Sequence, residues 1–234
     1  MLGVIVNTIA VIIGSILGII FKKGIGENIT NAVMNVMGLV MILIGLQSAL
    51  ETKEMLCLII CLVVGTIIGE LIKLDDALNK AGDFAKAKFK SKDGENSNFT
   101  EGFVTATLLF CIGSMTIVGS LQAGTSHDYS ILYAKSVMDF VSAIMFASIF
   151  GVGVACSAIF VLLTEGAMTL LSASLSSVLT TAVITEISAV GGIILLGMAV
   201  NMLVLNKKGD PIKSANMIPA IILTPLYLAI TSYL

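Results

Sequence analysis

The chain has no arginine among its 234 residues, a single histidine, and charged residues at only 12% of positions. Soluble domains carry roughly twice that charged fraction, so a water-facing globular surface is excluded for most of the length. Without arginine there is no bidentate fork for phosphate or carboxylate, which speaks against a strongly anionic, phosphate-bearing ligand. The lone histidine, His127, stands between Ser126 and Asp128. Neighbours in sequence point in different directions, so this trio makes no catalytic triad. No glycine-rich loop ends in Gly-Lys-Ser/Thr, and no histidine-rich cluster offers metal ligands. There is no Cys-x-x-Cys spacing either: Cys57, Cys61, Cys111 and Cys156 all fall in apolar runs and read as small buried hydrophobes. The chain therefore reads as a non-enzyme, with no cofactor and no nucleic-acid partner.

What is abundant is apolar sequence: 57% of residues are hydrophobic and the mean hydropathy is +1.04. At ~20 residues per crossing, residues 1–234 make a single transmembrane domain with no room for a soluble module. Met1–Ile20 is apolar from its start, and Lys22 and Lys23 follow it. A secretory leader carries its positive charges first, so this segment is expected to be a retained span. The apolar runs are Leu2–Phe21, Ile29–Leu50, Met55–Ile72, Phe103–Gln122, Ile131–Phe150, Val152–Leu171, Ile184–Leu205 and Met217–Tyr233. In lipid a helix satisfies its own backbone groups, and the expected fold is all-α, a polytopic transmembrane helical bundle.

Lysine placement orders the spans. Lys22 and Lys23 follow the first run; Lys73, Lys80, Lys86, Lys88, Lys90 and Lys92 follow the third; Lys207, Lys208 and Lys213 follow the seventh. Keeping all three groups in the cytoplasm requires an even number of crossings from the fifth and sixth runs, which only Gly151-Val152-Gly153 separates. Eight crossings with both termini outside satisfy this, as do six plus a re-entrant hairpin at Gly151–Gly153. Residues 73–99 form the one sizeable hydrophilic segment. Leu74, Leu78 and Ala81 recur there at helical spacing, with Phe84 and Phe89 among lysines, and Asp93–Asn98 reads as a linker. A short amphipathic helix on the cytoplasmic leaflet fits that pattern, as does an ordinary positive-inside loop.

Two internal echoes are visible. Val11–Gly18 resembles Leu62–Gly69, and Gly45–Ala49 resembles Gly119–Ala123. Spans one to three start outside and spans four to six start inside, which permits an inverted repeat of the kind common in secondary transporters. Gly14-x-x-x-Gly18 and Gly65-x-x-x-Gly69 are faces on which helix backbones can approach closely, within one chain or between copies.

Acidic groups inside apolar spans carry the functional argument, because carboxylates at membrane depth face a partner, water or a transported ion. Asp139 lies four residues after Lys135 on one helix face, either as a locked ion pair or as a site where a cation competes with the lysine. The stretch Gly113–Gly124 holds Ser114, Thr116, Ser120 and Gln122 and is poor in strong helix formers. It suits a broken or unwound helix whose carbonyls and hydroxyls could bind a solute; the plain alternative is hydroxyls bonded back to their own helix. Glu70 is expected near the cytoplasmic boundary as a solvated end residue or a site. Glu165 and Glu186 border the loop Ser172–Thr185 and could snorkel to water. Asn201 approximates one stripe with Glu186 and Gly197, and Asn7 lines up with Gly14 and Gly18. Such amides line a polar pathway or hydrogen-bond neighbouring helices.

At Gly113–Gly124, Lys135-Ser136-x-x-Asp139 and Glu186 leading into Gly191-Gly192, the chain resembles the bacterial inner-membrane proteins of the YdfK/YqgA type. The resemblance runs from Asn7-Thr8 to Asn216 and Pro219, and Met115–Gln122 is its most specific part. The family pattern has an acidic residue soon after the glutamine, where Ala123 stands here. The resemblance implies a polytopic membrane fold and no established activity.

Two readings follow. The first is a secondary transporter or channel of the bacterial cytoplasmic membrane for a small ion or polar metabolite, in contact with lipids and assembled as a homo-oligomer through its small-residue faces. Its binding residues would be Asp139, Lys135, Thr116, Ser120, Gln122, Ser114, Glu70, Glu186 and Asn201. The second is a non-transporting scaffold or lipid- or partner-interacting protein, in which Asp139 is fully paired with Lys135.

Overall fold

The computed structural model describes residues 1–22, 26–88, 99–204 and 211–231. Lys23, Phe89, Lys90, Lys92, Lys207, Lys208 and the linker Asp93–Asn98 lie outside the described residues. Among those described, all regular structure is helical: α1 Leu2–Lys22, α2 Glu27–Leu50, α3 Met55–Ile72, α4 Leu74–Lys88, α5 Phe99–Cys111, α6 Ser114–Thr125, α7 Ser130–Phe150, α8 Val152–Leu170, α9 Ser172–Leu175, α10 Thr181–Val204 and α11 Pro219–Thr231. A 3-10 turn, Ser214–Met217, leads into α11.

Seven of these stretches are long and apolar enough to cross a membrane, and α5 with α6 makes an eighth that is bent by 57°. The bend falls at Gly113, whose φ of 156° is a conformation L side chains rarely adopt. The expectation of an unwound Gly113–Gly124 is thereby narrowed: from Ser114 onward the backbone is a regular helix, and the irregularity is confined to the residues before it. Thr116 Oγ1 reaches back over the break and donates to Phe110 O at 3.2 Å, restoring one bond that the bend removes.

The near-continuous fifth and sixth runs divide at Gly151, with φ 74° and ψ −141°. Each side is a helix of 21 or 19 residues, long enough to cross. The Gly151–Gly153 break therefore separates two helices that are each long and apolar enough to cross, which fits the eight-crossing arrangement. After α3, Lys73 takes the left-handed conformation (φ 54°) and turns the chain into α4. That helix covers much of the 73–99 segment: Leu74 and Leu78 are half-buried, Gly82 is buried, and Phe84 is exposed.

The chain forms two compact units. The first comprises Met1–Met34, Leu78–Cys111 and Met115–Ala173; the second comprises Asn35–Ala77, Ile112–Ser114 and Ser174–Leu234. In the first, α1 runs along α7 with almost no space between backbones. A Cβ on Gly14 would meet Phe140 O at 2.5 Å, and one on Gly18 would collide with Ile144 O. In the second, a Cβ on Gly65 would collide with the Ala220 backbone and one on Gly69 with Asn216 O. Gly45 of α2 and Gly192 of α10 likewise face each other's carbonyl oxygens, at 2.8 and 2.5 Å from their built Cβ positions. Both Gly-x-x-x-Gly faces are therefore filled inside the chain, which removes them as the surfaces for an oligomer. Close approach matters here because lipid offers no hydrophobic drive between helices, leaving van der Waals packing and polar contacts to hold them. The opposite faces carry large exposed apolar side chains, such as Leu56, Ile59, Val63 and Ile67 on α3, as lipid contact requires.

Candidate functional site

The first unit buries a charged cluster where α1, α7 and α8 meet. Helical spacing brings Lys135 and Asp139 together on α7, and Lys135 Nζ donates to Asp139 Oδ2. The same ammonium lies 3.6 Å from Glu165 Oε1 on α8. From α1, Asn7 Nδ2 donates to both carboxylates, at 3.0 Å to Asp139 Oδ2 and 2.7 Å to Glu165 Oε1. All four side chains are buried, Asn7 and Glu165 completely so (0% exposed). Glu165 does not snorkel as the sequence suggested. Its carboxylate sits between three helices, one and a half turns inside α8, and points at an amide and an ammonium.

The same unit holds buried oxygens with no hydrogen-bond partner among the described residues, two of them in the cluster: Asn7 Oδ1 and Glu165 Oε2, with Ser15 Oγ, Thr107 Oγ1, Ser120 Oγ and Thr169 Oγ1 elsewhere in the unit. Helices α1, α5, α6 and α8 each contribute. Buried polar atoms are nearly always paired, so these oxygens mark the interior of this unit as polar. Helix α6 packs one turn away from the cluster. Ala123 packs with Val4 and Leu132, which lie one turn before Asn7 and Lys135 respectively, and Ser120 is one turn before Ala123.

The other sequence candidates go elsewhere. Thr116 is spent on the helix break, Ser114 opens α6 half-buried, and Gln122 is half-buried. In the second unit Glu186 is buried on α10 and accepts from Thr52 Oγ1, Lys53 N (2.7 Å) and Glu54 N (3.1 Å). It binds the amides leading into α3, where a negative charge is favoured, and does not snorkel. Asn201 clasps Ile212 in both directions, donating to its carbonyl at 2.8 Å and accepting from its N–H at 2.9 Å. Glu70, exposed at the end of α3, pairs with Lys213 at 2.8 Å and accepts from Asn216 Nδ2. That bond raises the Lys213 ammonium above its ordinary pKa. In the loop before α7, Asp128 accepts from Ser130 N at 2.9 Å, which holds its carboxyl below the usual value. Of nine candidates, the fold thus joins Lys135 to Asp139 and adds two residues outside that set, Asn7 and Glu165.

A multi-pass helical membrane protein with a cluster of ionisable side chains buried among its spans is the class this geometry defines. The chain belongs to the family described as protein of unknown function DUF554, whose model matches residues 2–229. It is similar to the uncharacterized membrane protein YdfK of Bacillus subtilis, 33% identical over 231 residues, covering 97% of this chain and 95% of that one. It is also similar to the uncharacterized protein YqgA of Escherichia coli, 29% identical over 235 residues, covering 99% and 98%. No solved structure matches.

Proposed function

We propose that the protein is a secondary transporter or channel of the bacterial cytoplasmic membrane for a small ion or polar solute, with the Asn7–Lys135–Asp139–Glu165 cluster as its binding or coupling centre. The observation that carries this reading is the charge count: two carboxylates and one ammonium, all buried, joined by a neutral amide. A helix lock needs one carboxylate for one lysine. A second carboxylate with an unfilled oxygen is costly to keep at membrane depth, and ion handling is the use that offsets the cost. The alike seats of Gly14–Gly18 on α7 and of Gly65–Gly69 against Asn216 and Ala220 support duplication of the first two hairpins. A homo-oligomer would use the exposed apolar faces instead of these.

The test is a thermal-stability screen of purified protein against cations, amino acids and small organic acids, followed by flux in proteoliposomes. A ligand that binds the native state raises its melting temperature. The expected result is a shift lost in Asp139→Asn and Glu165→Gln, with flux of the same ligand lost in parallel. The direct Lys135–Asp139 pairing favours a second reading, a non-transporting scaffold. That reading gains if no ligand shifts the wild type and both variants are merely destabilised.

A further inference from the structure

The composition of the buried cluster bears on which ion it takes, an inference that rests on the transport reading for its coupling step alone. With all three groups ionised the cluster is one negative charge in excess. Lys135 already occupies the cationic position between the carboxylates, in contact with Asp139 Oδ2 and 3.6 Å from Glu165 Oε1. A metal cation at Glu165 would stand against that ammonium in a low dielectric and would have to assemble several oxygen ligands around itself. A proton needs no coordination shell, and Glu165 Oε2 has no hydrogen-bond partner among the described residues to displace.

We infer that the cluster binds one proton, carried on Glu165, and that Lys135 exchanges between the two carboxylates as the proton leaves and returns. In the loaded state Glu165 is a neutral acid and Lys135–Asp139 is a neutral pair, so the cluster sums to zero. On release the proton passes to water, Glu165 becomes a carboxylate, the cluster carries one negative charge, and the ammonium is drawn toward Glu165 Oε1. Asn7 donates to both carboxylates throughout. A loaded carrier therefore changes its access without moving a buried net charge, and an unloaded one is held back by the cost of doing so.

The groups facing Glu165 are consistent with this. Helix α1 presents the neutral Asn7 and α7 presents Lys135 and Asp139, while α5 ends in the half-buried Cys111 thiol. Helix α6 has no charged residue, and α8 has only Glu165 itself.

The experiment is infrared difference spectroscopy of the purified protein between acidic and alkaline pH, reading the C=O stretch of protonated carboxyls. Among the bands of the chain's 15 acidic residues, the wild type should show one that Glu165→Gln removes, since Lys135 and Asp139 then balance alone. Glu165→Asp should move its frequency, placing the proton at residue 165, and Lys135→Gln should raise its amplitude about twofold, because two carboxylates would then be without an ammonium. Melting curves establish that each variant is folded, and Glu165→Asp keeps the test open if Glu165→Gln is not. No difference between wild type and Glu165→Gln overturns the inference. So does an unmoved band in Glu165→Asp, or a rise in melting temperature with sodium that Glu165→Gln abolishes. The band is read without any solute gradient, so the two readings fail separately. A 165-dependent band with no flux upholds the proton site and sinks transport; flux without the band does the reverse.

Discussion

Asn7 and Glu165 are 158 positions apart in sequence and are joined by a 2.7 Å hydrogen bond between two side chains with no exposure to solvent. The same amide nitrogen serves Asp139, so one neutral residue ties α1 to both acidic helices. Asn7→Ala removes both bonds and leaves two buried carboxylates short of a donor. Hydrogen bonds to charged groups contribute about 1.5–3 kcal/mol each in water, and less in membranes. A loss of about 1–3 kcal/mol is expected, checked by reversible denaturation in detergent or by the fall in melting temperature.

Lys135→Met should be the most damaging single change in the cluster. Stripping one partner from a buried ionic group typically costs about 3–5 kcal/mol, because the carboxylate left behind either stays as an uncompensated charge or must take up a proton. Adding Asp139→Asn removes that charge, so the double variant should recover much of the loss. Comparing the two melting curves measures the coupling, and additive losses would contradict it.

Glu186→Gln tests the second unit by itself. The carboxylate accepts the Lys53 and Glu54 amides and the Thr52 hydroxyl ahead of α3. Capping losses run to about 0.5–2 kcal/mol, and an amide can still accept, so about 1 kcal/mol is expected. Faster hydrogen exchange at residues 53 and 54 would report it, with proton uptake at the α1–α7–α8 cluster unchanged.

The pair of Lys213 and Glu70 has a defined pH window. The lysine's folded-state pKa is raised above 10.5 by its bond to Glu70. Its contribution is therefore complete below that ordinary value and is lost as pH rises through the folded-state one. Lys213→Met should lower the melting temperature slightly at pH 7, as exposed pairs contribute little, with the difference from wild type closing in strong alkali.

Gly69→Ala should destabilise far more than its size suggests, because the new methyl would run into Asn216 O, a backbone atom that cannot step aside. Overpacking of this kind costs about 1–3 kcal/mol or more. Gly26→Ala, with open space at its Cβ, is the control.

The helices were legible in the chain because apolar length alone specifies a span. The break at Gly151 could be located from Gly151 and Gly153, but how much helix stands on each side could not be read until the structure gave 21 residues before it and 19 after. The Lys135–Asp139 contact was legible because four residues on a helix is a local rule. Its other half was not: which of Asn7, Glu165, Glu70 or Glu186 joins it depends on how α1 and α8 are docked, and helix spacing carries no such information. Two signals were nonetheless present. Asn7 lies seven residues before Gly14, on the face that must meet another helix, and Glu165 sits too far inside its run to reach water easily. Glu186 lies equally far inside α10, yet its oxygens go to the Thr52 hydroxyl and to backbone amides, and that distinction is made by the loop Glu51–Glu54 and not by anything near residue 186.

The placement of these four residues along the chain also has a consequence for biosynthesis. Asn7 enters the bilayer first, and its partners lie 132 and 158 positions later. At ~5–20 residues per second of synthesis, α1 waits on the order of ten seconds with its amide unanswered. A single amide can survive that delay in lipid, whereas a lone carboxylate would resist entering it. Lys135 and Asp139 arrive together on one helix, already neutralising each other, and Glu165 follows only when both they and Asn7 are there to receive it. The order in which the ribosome delivers the cluster is thus one in which no bare charge has to be stored in the membrane.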